Sequence, residues 1–241
     1  MDPVGIGLLL AALPAAAYWG VGLAASPPGL RLLNGPVLCR ARTGAPLVGL
    51  TFDDGPDPAH VPRFLDALDG APSTFFVLGE KVRRHGDLVR EIQARGHEVA
   101  CHGDDHRNLG LMGPRATVDS LRRCRDAIGD VLGRPPAFYR PAYGQFNLAG
   151  WLAAPRLGMR RTLWSGWAKD WAEDATPGLI ASRTLRAARP GAVHLLHDAE
   201  GAPGAPDRTL AALPAILDGL RARGLRSVTL SDLLVAEQAE R

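Results

Sequence analysis

Cysteine is scarce in this chain: Cys39, Cys101 and Cys124 are its only three among 241 residues. An odd number without metal-ligand spacing provides no disulfide framework, so core packing has to stabilise the fold. Lysine is scarcer, Lys81 and Lys169 being the only two among 28 basic residues. That arginine bias fits the codon usage of a GC-rich genome and carries no functional message. The basic residues are scattered and the formal net charge is only +3, which excludes the gathered basic patch of a nucleic-acid-binding surface. There is no internal repeat, and no low-complexity tract beyond the N-terminal segment. The length therefore reads as one domain of catalytic size with an appendage.

Charge is missing altogether from Val4 to Ala25, where Leu, Ala and Gly dominate. As a helix, this run would extend roughly 33 Å at about 1.5 Å per residue, the thickness of a bilayer core. Pro14 is tolerable in a membrane helix, and Tyr18 and Trp19 suit an interface. A cleaved secretory signal is the other reading, with small residues at Ala15–Ala17 but no basic n-region before the run. The length favours an anchor over residues 1–26. Arg31, Arg40 and Arg42 follow it, a charge bias that would hold the next domain in the cytoplasm. Long domains translocate regardless of such a bias, and an extracytoplasmic catalytic domain at the cell envelope is the expectation.

A Pro/Gly-punctuated linker is expected over residues 27–44, then a regular pattern. Short apolar runs occur at Leu47–Phe52, Ser73–Leu78, His97–Cys101, Ala137–Tyr139, Met159–Trp164, Ala192–Leu196 and Leu225–Thr229. Between them lie segments of helical spacing, such as Val61, Leu65 and Leu68, or Leu210, Leu213, Ile216, Leu217 and Leu220. Strands alternating with helices predict a parallel sheet with helices outside it, and seven strands predict barrel-like closure. In such barrels the chemistry sits in loops after the strands.

The chemically capable residues fall there. Asp53 and Asp54 end the first run in TFDDGPDP, before a Gly-Pro turn. A carboxylate pair where strand becomes turn can project to two sides of one pocket, one acid holding a metal while the other takes a proton. An Asx-turn with two solvated acids is the bland alternative. After the third run, CHGDDH places His102 and His106 four apart, a spacing that converges on one ion. With a carboxylate they form a three-ligand site with a position left open for water, the mark of a catalytic metal. Arg140 in RPAYG can steady a carboxylate by paired hydrogen bonds. In WSGWAKDW (Trp164–Trp171) the aromatics read as core or pocket wall, and Asp170 as a helix cap before Pro177. In LLHD, strand alternation sends Leu195 and His197 to one face and His194 to the other. His197 is thereby assigned to the pocket and His194 to packing, while His60, His85 and His97 read as surface or turn histidines.

Together these motifs resemble the polysaccharide deacetylase family, the NodB-homology or carbohydrate esterase family 4 domain. Five motifs match in the family's order between about Ala45 and Leu234, TFDDGP being the most specific. The resemblance implies an α/β fold, a distorted (β/α)7 barrel over residues 45–235, here preceded by an N-terminal hydrophobic helix and followed by a tail at 236–241. It implies that Asp53 is the general base, that Asp54, His102 and His106 hold a divalent metal, usually zinc, and that Arg140 orients Asp53. It further implies an oxyanion contact from the backbone N–H of Tyr143, tuning by Asp170, and His197 as general acid. Leu195 would line the acetyl slot and Trp171 would form a pocket wall. Three positions depart from the family pattern: Gly103 replaces Ser or Thr, Trp167 replaces an acid, and Ala142 replaces a common Pro. The implied activity is N-deacetylation of peptidoglycan or chitin-like glycans at the cell envelope. The alternatives are the same machinery on O-acetyl esters or a non-sugar amide, or an inactive membrane-tethered glycan-binding protein.

Overall fold

A computed structural model describes residues 37–241; the expected anchor or signal over residues 1–26 lies outside the described residues. Eight parallel strands form one sheet: β1 (Leu47–Asp53), β2 (Thr74–Val77), β3 (Glu98–Cys101), β4 (Phe138–Tyr139), β5 (Arg160–Arg161), β6 (Gly166–Trp167), β7 (Val193–His197) and β8 (Arg226–Ser227). Their order is β5-β4-β3-β2-β1-β7-β6, with β8 pairing β1. The sheet curls through 211° as a half-barrel with flanking helices. All seven apolar runs overlap a strand. β6 escaped sequence reading because two residues, Gly and Trp, carry no periodicity.

β1 is central, hydrogen-bonded to β2, β7 and β8. A strand enclosed on both faces reads as a nearly continuous apolar run, as LVGLTFD does. Alternation sends Leu50 and Phe52 outward, where Phe52 meets Phe64 and Phe75 at 5.3 and 5.1 Å. Phe64 belongs to α1 (Val61–Ala67). Thr51 and Asp53 take the opposite face, level with Leu195 and His197 of β7. Cα partners on adjacent strands are about 4.8 Å apart, so register alone brings Asp53 beside His197.

Six of the remaining helices are α2 (Gly79–Arg84), α3 (Gly86–Ala94), α4 (Pro114–Leu132), α5 (Leu148–Arg156), α6 (Pro177–Ala187) and α7 (Ala205–Arg221). The last is α8 (Leu230–Ala239). On α4 the buried residues Thr117, Ser120, Leu121, Cys124, Ala127 and Ile128 follow helical spacing and form one stripe toward the core. Thr176 caps α6 by accepting a hydrogen bond from the Leu179 N–H. That corrects the helix-cap reading of Asp170, which is buried instead.

The linker expected over residues 27–44 overlaps packed structure. Val37, Leu38, Cys39 and Ala41 are buried. Leu38 bridges to Thr162 alongside β5, its N–H donating to the Arg161 carbonyl at 2.9 Å. Arg40 bridges to Ala192, just before β7. The segment thus covers the edge of β5 that β4 leaves free. Among the described residues, no helix is long and apolar enough to cross a membrane.

Candidate metal-dependent active site

The site assembles at the C-terminal ends of β1, β3, β4 and β7. Asp54 leaves β1 in a left-handed conformation with φ 81°, uncommon for residues with a side chain and tolerated better by Asp than by most. The Lys81 ammonium of α2 donates to the Asp54 carbonyl at 2.8 Å and pins that geometry. Three of the four non-glycine residues with positive φ among the described residues, Asp54, Tyr143 and Lys169, sit around this mouth. The fourth, Asp69, lies in a surface turn.

Asp54 Oδ1 lies 3.3 Å from His102 Nε2 and 3.1 Å from His106 Nε2. The oxygen is buried and has no hydrogen-bond partner. Ligands about 2.0–2.1 Å from a tetrahedral ion stand roughly 3.3 Å apart, so these lone pairs are spaced to share a cation. His102 Nδ1 donates to the Arg140 carbonyl at 2.9 Å. A carbonyl only accepts, so Nδ1 is committed to it and Nε2 is the ring nitrogen that faces Asp54 and a metal position. The donor set of one carboxylate and two imidazoles suits a divalent ion, and the three ligand atoms lie within 4.8 Å of one another. Burial works to raise the Asp54 pKa, but the His102 and His106 imidazoles outweigh it and hold the carboxyl well below its usual range. Burial lowers and Asp54 raises His106, with a net upward shift. Protons and a metal ion would therefore compete for that nitrogen.

Asp53 stands beside these ligands, its Oδ2 3.7 Å from His102 Nε2. Its Oδ1 accepts from Arg140 Nη1 at 2.6 Å. Arg140 is fully buried and also donates to Thr51 Oγ1 and the Leu163 carbonyl. Its guanidinium lies 4.0 Å over the Phe76 ring. Every contact restrains the fork, leaving Asp53 Oδ2 free of the arginine.

His197 is fixed from the other side. Asp170 Oδ1 pairs with His197 Nδ1 at 2.9 Å, while Asp170 Oδ2 accepts from the His197 N–H at 2.8 Å and from Thr209 Oγ1 at 2.7 Å. Burial would lower the His197 pKa, yet the Asp170 charge and hydrogen bond, with Asp54 and Asp53 beyond, raise it to about 10. His194, on the opposite face, is buried and pushed down to about 4 by burial and Arg189. Trp171 meets the His197 ring edge-on at 5.4 Å. Leu195 is buried on the His197 face, and the Tyr143 ring lies 4.6 Å from His106.

Gly103 has φ +101°, a conformation side chains resist, and a Cβ there would lie 3.5 Å from Ser120 Oγ. That hydroxyl, from α4, accepts the Asp104 N–H at 2.9 Å. The Asp104 carboxylate is gripped by Arg83 and Arg123, each at 2.7 Å. The metal-ligand loop is thus braced from α2 and α4. The sequence assigns no role to Ser120, Thr209 and Lys81, common residue types with no local signature, nor to Thr51, although it opens TFDDGP. It likewise assigns none to Asp198, a buried acid raised to about 8 chiefly by burial, against the pull of Lys81. Two histidine readings need correction: His97 is buried against Phe75 at 5.4 Å, and His60 is buried between Asp57 and Asp207.

The polysaccharide deacetylase family pattern matches residues 40–162. A chitooligosaccharide deacetylase of Rhizobium leguminosarum bv. trifolii is 37% identical over 193 residues, 74% of this chain and 88% of that protein. The crystal structure of a peptidoglycan N-acetylglucosamine deacetylase in complex with 4-naphthalen-1-yl-N-oxidanyl-benzamide superposes with a TM-score of 0.78 at 27% identity. The match covers 84% of this chain and 94% of that one. A family 4 acetyl xylan esterase from Clostridium thermocellum, in complex with a cobalt ion, gives 0.71 at 30% identity over 78% and 90% of the two chains. Sequence, fold and the Asp-His-His cluster agree, and the chain belongs to the polysaccharide deacetylase family.

Proposed function

We propose that this chain is a metal-dependent hydrolase that removes N-acetyl groups from chitin-like or peptidoglycan glycans of the cell envelope. The carrying observation is the convergence of Asp54, His102 and His106, with Asp53 and His197 beside them. Names of relatives support the substrate class, a chitooligosaccharide deacetylase and a peptidoglycan N-acetylglucosamine deacetylase among them. Zinc is the proposed ion, since one carboxylate and two imidazoles suit it.

An amide is a poor electrophile and water a poor nucleophile at neutral pH. Asp54, His102 and His106 would hold a divalent ion, which would supply the Lewis acidity that brings the pKa of water to about 7 and polarises a carbonyl. Asp53 Oδ2, the oxygen not tied to Arg140, accepts the proton of the attacking water. Arg140 keeps Asp53 oriented. The Tyr143 backbone N–H donates to the developing oxyanion, a contact worth roughly 3 kcal/mol by analogy with other oxyanion holes. His197, its Nδ1 committed to Asp170, delivers a proton to the leaving nitrogen as the C–N bond breaks. Acetate and a free amino sugar result. Leu195 lines the slot for the acetyl methyl, and Trp171 walls the pocket.

The test is acetate release from N-acetylglucosamine oligomers and peptidoglycan. Chelation should abolish release and zinc restore it, and Asp53→Asn should lower kcat by about 10²–10⁴-fold. Release unchanged by chelator, or by Asp53→Asn, would overturn the reading. The acetyl xylan esterase among the relatives motivates a second reading, hydrolysis of O-acetyl esters. Turnover of acetylated xylan without turnover of amino sugars would favour it. We further propose membrane attachment through residues 1–26 with the catalytic domain outside the cytoplasm, supported by the uncharged run from Val4 to Ala25. A C-terminal reporter fusion tests the orientation, and secretion after cleavage is the competing outcome.

A further inference from the structure

Among the described residues, the exposed large aromatics are Tyr143 and Trp167, 59% and 37% accessible, and both stand at this mouth. Trp167 pairs in register with Leu195, which shares its strand face with His197. A rim of rings runs from His106 to Tyr143 at 4.6 Å. The next residue, Gly144, packs so closely that a Cβ would sit 2.4 Å from the Trp164 indole. Trp164 meets Trp167 at 6.0 Å, Trp167 meets Trp171 at 5.2 Å, and Trp171 meets His197 at 5.4 Å. The Lys169 ammonium lies 5.0 Å over the Trp167 ring, on a backbone held at φ 52°.

Trp167 is partly exposed beside the reaction centre, so a ligand that covers it gains apolar burial. The acetamido group must reach the metal ligands, so its sugar crosses the rim and the adjoining sugars lie outside it. A pyranose presents C–H bonds on its faces and hydroxyls around its edge. That matches the exposed part of the Trp167 indole, with the Lys169 ammonium over the ring as a donor to the sugar's hydroxyls. We infer that Trp167, with Lys169, forms a stacking subsite for a sugar ring next to the N-acetylated unit being hydrolysed. The subsite makes the enzyme select oligosaccharides by chain length. The inference rests on the deacetylase reading, from which its test separates it.

The zinc-loaded full chain is assayed on N-acetylglucosamine di- and tetrasaccharides. Trp167→Ala should reduce the tetrasaccharide-to-disaccharide ratio of kcat/KM by about tenfold, the scale of one aromatic contact. Trp167→Phe, which keeps a ring, should restore part of it. Equal losses on both substrates would make Trp167 a mere pocket support and overturn the inference while the deacetylase reading stands. Tryptophan fluorescence titrations with the same oligomers provide a readout independent of turnover. Tighter tetrasaccharide binding by wild type that Trp167→Ala abolishes supports the subsite even if no acetate is released, in which case the deacetylase reading alone fails. Identical titrations in the two proteins overturn it. So does a concentration-dependent dimer lost in Trp167→Ala, which would assign the rim to a second copy of the chain.

Discussion

Asp170 illustrates how one buried carboxylate sets the state of a neighbouring histidine. It accepts three hydrogen bonds, two of them from His197. The folded His197 pKa, about 10 in the metal-free protein, lies above the unfolded value of about 6.5. A raised pKa contributes stability that is complete below the unfolded value and lost as pH rises through the folded one. Asp170→Asn should therefore destabilise metal-free protein by about 3 kcal/mol at pH 6. The gap from wild type should narrow steadily towards pH 10. Urea unfolding in chelator at pH 6, 8 and 10 reads this directly, and a gap that widens with pH would reject the Asp170–His197 coupling. Much at this scale was legible from sequence, because Asp53 with Asp54, and His102 with His106, are close in the chain and their chemistry is local. Thr209 and Ser120 were not, since their partners lie 39 and 16 residues away. His97, just before β3, is buried against Phe75 of β2, a contact with no trace in the local sequence.

Among elements, α4 matters beyond its core stripe. Through Ser120 and Arg123 it holds the loop that carries His102 and His106, while α2 adds Arg83 from the other side. Asp104 is pulled below its usual pKa by these two arginines despite burial that works the other way. It acts as a fixed anion binding loop to helices. Asp104→Ala should weaken zinc affinity by about 10–100-fold, the usual cost of losing a group that positions ligands. Competition against a chromophoric chelator measures it, and unchanged affinity would show that the loop holds its shape without the clamp. Strands and helices were readable wherever an apolar period ran for several residues. The two-residue strand β6 had none, and with it the placement of Trp167 stayed out of reach.

At the scale of the whole molecule, the half-barrel depends on residues outside its regular strands. Leu38 lies along β5, and its carbonyl accepts the Leu163 N–H at 2.9 Å. The Leu163 carbonyl in turn accepts from Arg140 Nη2 at 2.9 Å, and Arg140 holds Asp53. The sequence presented 27–44 as a linker because Pro and Gly punctuate it, and the long-range pairing that buries its end leaves no periodic trace. Two substitutions at Leu38 separate packing from this relay. Leu38→Ala removes buried apolar volume and should cost about 2–5 kcal/mol, lowering Tm by roughly 5–15 °C for a domain of this size. Its backbone hydrogen bonds remain, so kcat at a temperature where it stays folded should match wild type. Leu38→Pro also removes the N–H donated to Arg161. By shifting Leu163 and the guanidinium above Asp53 it should lower kcat about ten- to hundredfold under the same conditions. A Leu38→Pro protein that loses Tm yet keeps kcat would show that the edge segment stabilises the barrel without tuning its base.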